Sequence, residues 1–477
     1  MNASRRAFLR ASASLAAATQ GMGRHAAPLA MNLAGLGALA NLASSQARAA
    51  TTNDGYKALV CLFMQGGNDS HNWVVPTDTS NHATYATARG DLAVAQARLQ
   101  AITSSSQGSG RSFGMPLDLA PLRSWYEAGQ CAIVANVGTL VRPVSKADFQ
   151  AGVGLPAKLF SHNDQQATWQ SLQPEGAVTG WGGRMGDLLM SANQHPVFTA
   201  VSASGNAVFL SGSGVTQYQV STSGPVQINA AQAGWHAGSN AVPGALRSLL
   251  ASSSSPNAFQ AEYLKVVQRS LASTSTLQSA IAGTSIAALP TAAITLPSGG
   301  TLTLANEGLA KQLRVVAQMI AAGPGLGMRR QVFMVSLGGF DCHSNQLRDQ
   351  PLVMARVAQS VNWFLGAMQG AGMLNNVALF TASDFGRTLV NNGDGCDHGW
   401  GSHHFVAGGA VKGREIYGRF PVTALGTADD LGSGRLLPGT SVTQLAASLG
   451  GWMGLSHSEL ALALPNLGNF SGRPAIF

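Results

Sequence analysis

Charge is scarce in this sequence. Only 10% of its 477 residues are Asp, Glu, Lys or Arg, against roughly 25% in ordinary globular domains. Aromatic residues make up 6%, and there are only four cysteines. A scaffold built on dense disulfides is thereby excluded. No Lys/Arg run carries interleaved aromatics, which argues against a nucleic-acid partner. Apolar runs of the ~20 residues that a permanent membrane span needs are missing too. Disorder is not the answer either, because 45% of the chain is apolar, ample for a packed core. The length fits two or three domains, or one large α/β unit with insertions.

The net charge of +8 is concentrated at one end. Residues 1–49 hold Arg5, Arg6, Arg10, Arg24 and Arg48 and no acid, so the remainder carries only +3. Ser4-Arg5-Arg6-Ala7-Phe8-Leu9-Arg10, an Ala-rich stretch and Ala47-Arg48-Ala49 read as a twin-arginine export signal over 1–49. The stretch is interrupted by Arg24, His25 and Pro28, which favours cleavage over anchoring. The expectation is a periplasmic or secreted protein that meets the twin-arginine translocase during export.

Apolar runs of strand length alternate with helical spacings. Strands are predicted at Ala58–Met64, Cys131–Val137, Gln331–Leu337, Asn376–Thr381 and His404–Ala410. Helices are predicted at Leu119–Gly129, Asn306–Ala322, Leu352–Gly370 and Ser441–Leu455. This alternation predicts βαβ units and a mostly parallel sheet flanked by helices. Residues 50–477 form that α/β domain, with a Ser/Gly-rich insertion or cap at about 202–300. Cys61 and Cys131 fall inside strands and are read as core.

Three predicted strands each deliver an acid just past their carboxyl ends: Asp69 after Gln65-Gly66-Gly67-Asn68, Asp341 after Gly338-Gly339-Phe340, and Asp384 after Ala382-Ser383. Ligands bind at that edge of a parallel sheet. Four of the 11 histidines, His343, His398, His403 and His404, lie close by in sequence. Any single acid there is an ordinary Asx turn, and His403-His404 fits a buried pair at a strand start. Together they are what a divalent metal site requires, with Zn, Mn and Ca all open by ligand type. Asp397 fits a partner that orients His398. Cys342 and Cys396 each flank an Asp of the site. In an oxidising compartment they can form a disulfide, and the sequence leaves their pairing open.

The segments Val60–Pro76, Gly338–Gln346 (GGFDCHSNQ), Ser383–Arg387 (SDFGR), Asp397–Gly409 (DHGWGSHHFVAGG), Arg435–Pro438 and Leu464–Leu467 resemble the exported bacterial family called domain of unknown function 1501. The resemblance covers about 55–477. That family is grouped with the alkaline phosphatase superfamily, which implies a doubly wound sheet and metals at the strand ends. Carried over, Asp341, His343 and His398 match one metal site, and Asp69 and Asp384 the other. Phe385 stands where superfamily members place a metal-binding His, and the Asp341-to-His343 spacing is shorter than in alkaline phosphatases. The resemblance also implies a nucleophile at a helix start, and Ser161 in Leu159–Gln166 is the candidate. Ser161 with Asp164 three residues on is equally an N-cap pattern. Asn68, Arg387, His403 and His404 are the candidates to meet substrate. The sulfatase signature of a modifiable Cys followed by x-Pro-x-Arg is absent.

Gly110-Arg111-Ser112-Phe113-Gly114 matches G-x-S-x-G, but no strand precedes it, so a nucleophile elbow is not expected. Gly323-Pro324-Gly325 reads as a helix stop. The reading is a metal-dependent hydrolase of phosphate or sulfate esters, small or polymer-linked. The rival is a non-catalytic periplasmic binding or assembly protein with a degraded second metal site.

Overall fold

The computed structural model describes residues 55–231, 234, 239–251 and 257–477. The export signal expected over 1–49 lies outside them. In chain order the strands of the main sheet are β1 (Lys57–Met64), β2 (Cys131–Gly138), β3 (Ala200–Ser202), β4 (Tyr218–Ser221), β5 (Gly224–Pro225), β6 (Arg330–Leu337), β7 (Val377–Ser383), β8 (Ser402–Ala407), β9 (Ile416–Tyr417) and β10 (Thr440–Ser441). The helices that matter below are α1 (Thr79–Arg89), α2 (His162–Ser171), α3 (Trp181–Leu189), α4 (Ala258–Ala282), α5 (Gly308–Ala322), α6 (Gln346–Gly370) and α7 (Val442–Trp452).

Hydrogen bonding orders the sheet β9-β2-β8-β7-β1-β6-β3-β4-β5, with β10 also on β2. Only β8 and the short β5 run against their neighbours. Both faces of β1 are covered. Ala58, Val60, Leu62 and Met64 pack into one apolar cluster with α5 and α6. Leu59, Cys61 and Phe63 pack into a second with α3 and α7. A strand buried on both faces reads as one continuous apolar run, which is why ALVCLFM was legible. Truncating one of these side chains, Leu62→Ala for example, costs about 2–5 kcal/mol. The architecture is the doubly wound α/β arrangement, a mostly parallel sheet with helices on both faces, that the sequence predicts.

Register positions the site. Met64 lies opposite Leu337 of β6 on one side and opposite Ser383 of β7 on the other. The carboxyl ends of three parallel strands therefore lie side by side, and the loops after them leave from one edge. Gly66 (φ 117°) presses against the backbone at Asp341, and Gly67 (φ 83°) against the Phe385 ring. A Cβ at either position would collide, so the three loops close on one another only with glycine there.

Two expectations change. The 202–300 segment is not irregular throughout. It supplies β4 and β5 to the sheet edge and the 25-residue helix α4, whose Ser and Thr positions masked its apolar spacing. Helix α6 starts at Gln346, six residues earlier than predicted, and carries Pro351 inside it. Asp394 makes this early start feasible by accepting from the backbone N–H groups of Asn345 and Gln346. Ser112 precedes the strand Phe113–Pro116 of a separate three-stranded sheet and forms no elbow. No helix among the described residues is long and apolar enough to cross a membrane.

Candidate metal centre

Three imidazoles converge on Asp341. His162, the first residue of α2, places Nε2 3.6 Å from Asp341 Oδ2. His398 places Nε2 3.6 Å from Asp341 Oδ1, and His343 places Nε2 3.3 Å from the same oxygen. Ligand atoms of His162, Asp341 and His398 all lie within 4.8 Å of one another. The His343 and His398 Nε2 atoms are 2.8 Å apart.

The opposite ring nitrogens decide what those Nε2 atoms are. His162 Nδ1 lies 2.6 Å from Asp384 Oδ2, His398 Nδ1 lies 2.7 Å from the Phe160 carbonyl, and His343 Nδ1 lies 3.3 Å from Asp397 Oδ1. A carbonyl and two carboxylates only accept, so each Nδ1 carries the proton. In the neutral rings every Nε2 is then a lone pair, and the three lone pairs face one carboxylate. This outer-shell arrangement orients metal-binding histidines. His162 Nε2 is buried and has no hydrogen-bond partner. Without a cation or a proton to share, the close approach of two Nε2 lone pairs is repulsive.

Charge states favour a cation. Burial lowers the His398 pKa, opposed by its hydrogen bond to Phe160 and reinforced by the Arg387 charge, so the ring is neutral at pH 7. Burial pushes Asp341 up, but the Arg387 hydrogen bond and charge outweigh it and hold the carboxyl below its ordinary range. A neutral His398 imidazole and an ionised Asp341 carboxylate are the protonation states a divalent metal needs.

The sequence expectations separate here. Asp341, His343 and His398 are brought together. Asp384 joins them indirectly, holding His162 and accepting from Gln166 Nε2 at 2.9 Å. Asp397 meets the His343 ring, where His398 was expected. Asp69 is not in the cluster. It is fully buried against the Arg89 guanidinium and also accepts from Gln346, so the second metal site expected from Asp69 and Asp384 is not assembled.

The Phe385 ring packs on His162 and His398 with centroids 4.8 and 4.6 Å away. His162 supplies an imidazole from another element. It is the residue sequence reasoning missed, although it directly follows Ser161. Its distance of some 180 positions from Asp341 hid it.

The substrate-facing candidates are corrected. Arg387 is fully buried, and its guanidinium donates to the carbonyls of Gly66, Gly67, Phe340 and Cys396 as well as to Asp341. It ties the loops together and, with no exposed surface, does not face an anion in solution. His403 and His404 lie within β8, walled by β2 and β7. His403 accepts from the Asn136 N–H, and His404 pairs with Thr381 Oγ1. Burial holds His403 well below its usual pKa and brings His404 down to about 3. Asn68 is likewise buried, its N–H donating to Ser383 Oγ.

Ser161 is the N-cap of α2, yet its hydroxyl makes no capping bond to the helix backbone. It donates instead to Asp164 Oδ2 at 2.7 Å, whose other oxygen lies 3.5 Å from Lys158 Nζ. Lys158 and Phe160 both have positive φ, 44° and 70°, a strained conformation for bulky side chains that costs of order 1–3 kcal/mol each. Arg435 donates Nε to the His398 carbonyl at 2.8 Å and lies 5.4 Å from the Phe160 ring centroid, within cation–π range.

A mostly parallel α/β sheet bearing a His/Asp cluster at its strand ends defines the class: a helix-flanked α/β protein with its site at the sheet edge. Within it, the chain belongs to the family described as "Protein of unknown function (DUF1501)", matched over residues 56–466. Solved structures similar to it are distant. Ps i-CgsB shares 9% identity, with 87% of this chain and 77% of that chain covered and a TM-score of 0.32. BT1596, described as a 2-O GAG sulfatase, shares 11% over 84% and 71%, with a TM-score of 0.30. The PsFucS1 sulfatase from Pseudoalteromonas sp. shares 11% over 89% and 71%, with a TM-score of 0.26. No curated protein matches the chain.

Proposed function

We propose that the protein is an exported hydrolase of phosphate or sulfate esters that works with one divalent metal held by His162, Asp341, His343 and His398. The observation that carries the reading is the convergence of three Nε2 lone pairs, each fixed by a partner on Nδ1, on one ionised carboxylate. Three nitrogens and one oxygen suit Zn first, with Mn next. A bound divalent cation supplies Lewis-acid stabilisation of charge developing on the ester oxygens.

The chain's own groups do the rest. Asp384 and Asp397 fix the rings of His162 and His343. Ser161 is the nucleophile, and Asp164 is placed to accept its proton. Arg435 takes over the anion-recognising role that Arg387 cannot fill, because its outer nitrogen keeps donors for an oxyanion. Asp341 and His343 are about half exposed (49% and 45%), so the site accommodates an ester on a polymer as well as a small one. Export through the twin-arginine route to the periplasm or beyond belongs to the same proposal, as does the absence of a nucleic-acid partner.

The second reading is a non-catalytic periplasmic binding or assembly protein. The Arg387 guanidinium on the Asp341 carboxylate favours it, since it competes with a metal for one oxygen. Metal analysis of protein purified from an exporting host decides between them. The hydrolase reading expects about one equivalent of metal, turnover of aryl phosphate or aryl sulfate, and loss of that turnover in Ser161→Ala. Less than about a tenth of an equivalent would sink it in favour of the binding protein.

A further inference from the structure

We infer that Cys342 and Cys396 are a disulfide-forming pair, a covalent modification site that joins the two segments of the metal centre. The Cys396 N–H donates to the Cys342 carbonyl at 3.0 Å, and both thiols are buried beside that contact. Gly395 packs so closely on the Cys342 carbonyl that no Cβ would fit, which holds the two backbones together. Such an approach lies within the range a disulfide spans.

The other two cysteines cannot form this bond. Cys61 on β1 and Cys131 on β2 are separated in the sheet by β7 and β8. That is three strand spacings of about 4.8 Å, beyond the ~7 Å limit between Cα atoms.

Position gives the pair its consequence. Cys342 lies between Asp341 and His343, and Cys396 precedes Asp397 and His398. A bond between them would tie the segment carrying Asp341 and His343 to the segment carrying Asp397 and His398.

The oxidant is a disulfide, low-molecular-weight or protein-borne. Cys342 is the entry point: it is 5% exposed against 0% for Cys396, and its neighbours Asp341, His343, Ser344 and Asn345 are exposed. The Cys342 sulfur, having given up its proton, attacks one sulfur of the oxidant and expels the other as a thiol. Cys396 then attacks the mixed disulfide, releasing the second thiol. Two electrons and two protons pass from the cysteine pair to the oxidant, and one S–S bond replaces another.

The test uses the full chain with oxidised glutathione, both added to the folded protein and present during refolding, and it is independent of metal content. Denaturation, alkylation with N-ethylmaleimide and peptide mass mapping should find two labels, on Cys61 and Cys131, and a Cys342–Cys396 linked peptide. Cys396→Ser should retain glutathione on Cys342. If that variant does not fold, the mapping of the unsubstituted chain decides alone. Four labels under both conditions, or a link that involves Cys61, Cys131 or a second chain, would overturn the inference.

Discussion

Asp69 and Asp341 begin alike and end in opposite states. Both follow a Gly-Gly pair past the carboxyl end of a central parallel strand. Asp341 stands half exposed among three imidazoles whose Nε2 atoms turn toward its carboxylate. Asp69 is sealed against Arg89, which also donates to the Thr388 and Leu389 carbonyls, and lies in a network with Gln346, Gln350, Asn72 and Tyr85. The first site has ligand atoms to spare, whereas the second has given its charge to an internal cation. An acid at a strand end becomes a ligand or a structural anion according to which side chain crosses to meet it.

That contrast is broken most severely on the closed side. Arg89→Met leaves the Asp69 carboxylate buried without its cation, and removing one partner of such a pair costs about 3–5 kcal/mol. Equilibrium denaturation should show that loss, with the metal equivalents of the surviving folded fraction unchanged. On the open side the metal is lost first. His162→Ala takes one hydrogen bond from the buried Asp384 carboxylate, which keeps Gln166, and should cost about 1–3 kcal/mol in metal-free protein, yet abolish metal retention on dialysis. If His162→Ala keeps its metal, the cluster is not the binding site and the comparison between the two acids collapses.

A finer cut separates ligands from the residues that orient them. Asp384→Asn keeps the shape and can still accept from His162 Nδ1, but it loses the charge. Outer-shell changes of this kind weaken metal affinity about 10–100-fold, so competition with a chelator should give a Kd raised by that factor, not complete loss. Asp69→Asn, by the same measurement, should leave the Kd unmoved.

Much of this was legible in the chain, and the unread part has a common cause. Continuous apolar runs such as ALVCLFM and QVFMVSL mark strands covered on both faces, and the residues just past them mark the sheet edge. From these the fold and the positions of Asp69, Asp341 and Asp384 follow. What local spacing cannot carry is the choice of partner. Arg89 reaches Asp69 from the end of α1, and His162 reaches Asp384 across 222 positions. The doubled His403-His404 misled for a different reason. In the interior of a sheet both faces are dry, so the polar pair within β8 is core, each ring meeting one partner through Nδ1, the Asn136 N–H and Thr381 Oγ1. Arg387 was misassigned in the same way, because a guanidinium that satisfies several loop carbonyls looks, in sequence, like one waiting for an anion.

The smallest effect concerns those buried histidines and separates them from the open ones. Burial brings His71 down to about 4, with hydrogen bonds to the Arg387 and Gly434 backbone opposing it, and brings His404 down to about 3. Both rings are neutral in the folded protein and titrate near 6.5 when unfolded. The unfolded chain therefore binds more protons below pH 6.5, and stability falls as pH drops from there toward the folded values. Between pH 7 and 5.5 each ring should cost about 1 kcal/mol. Metal-free protein isolates this term, since acidification would also release a bound metal from the open site. His404→Gln lowers stability at every pH but should flatten the slope of unfolding free energy between pH 6.5 and 5 by nearly one proton's worth. An unchanged slope would mean that His404 stays neutral in both states, or takes up its proton inside the fold, and that the closed core is less closed than its packing implies.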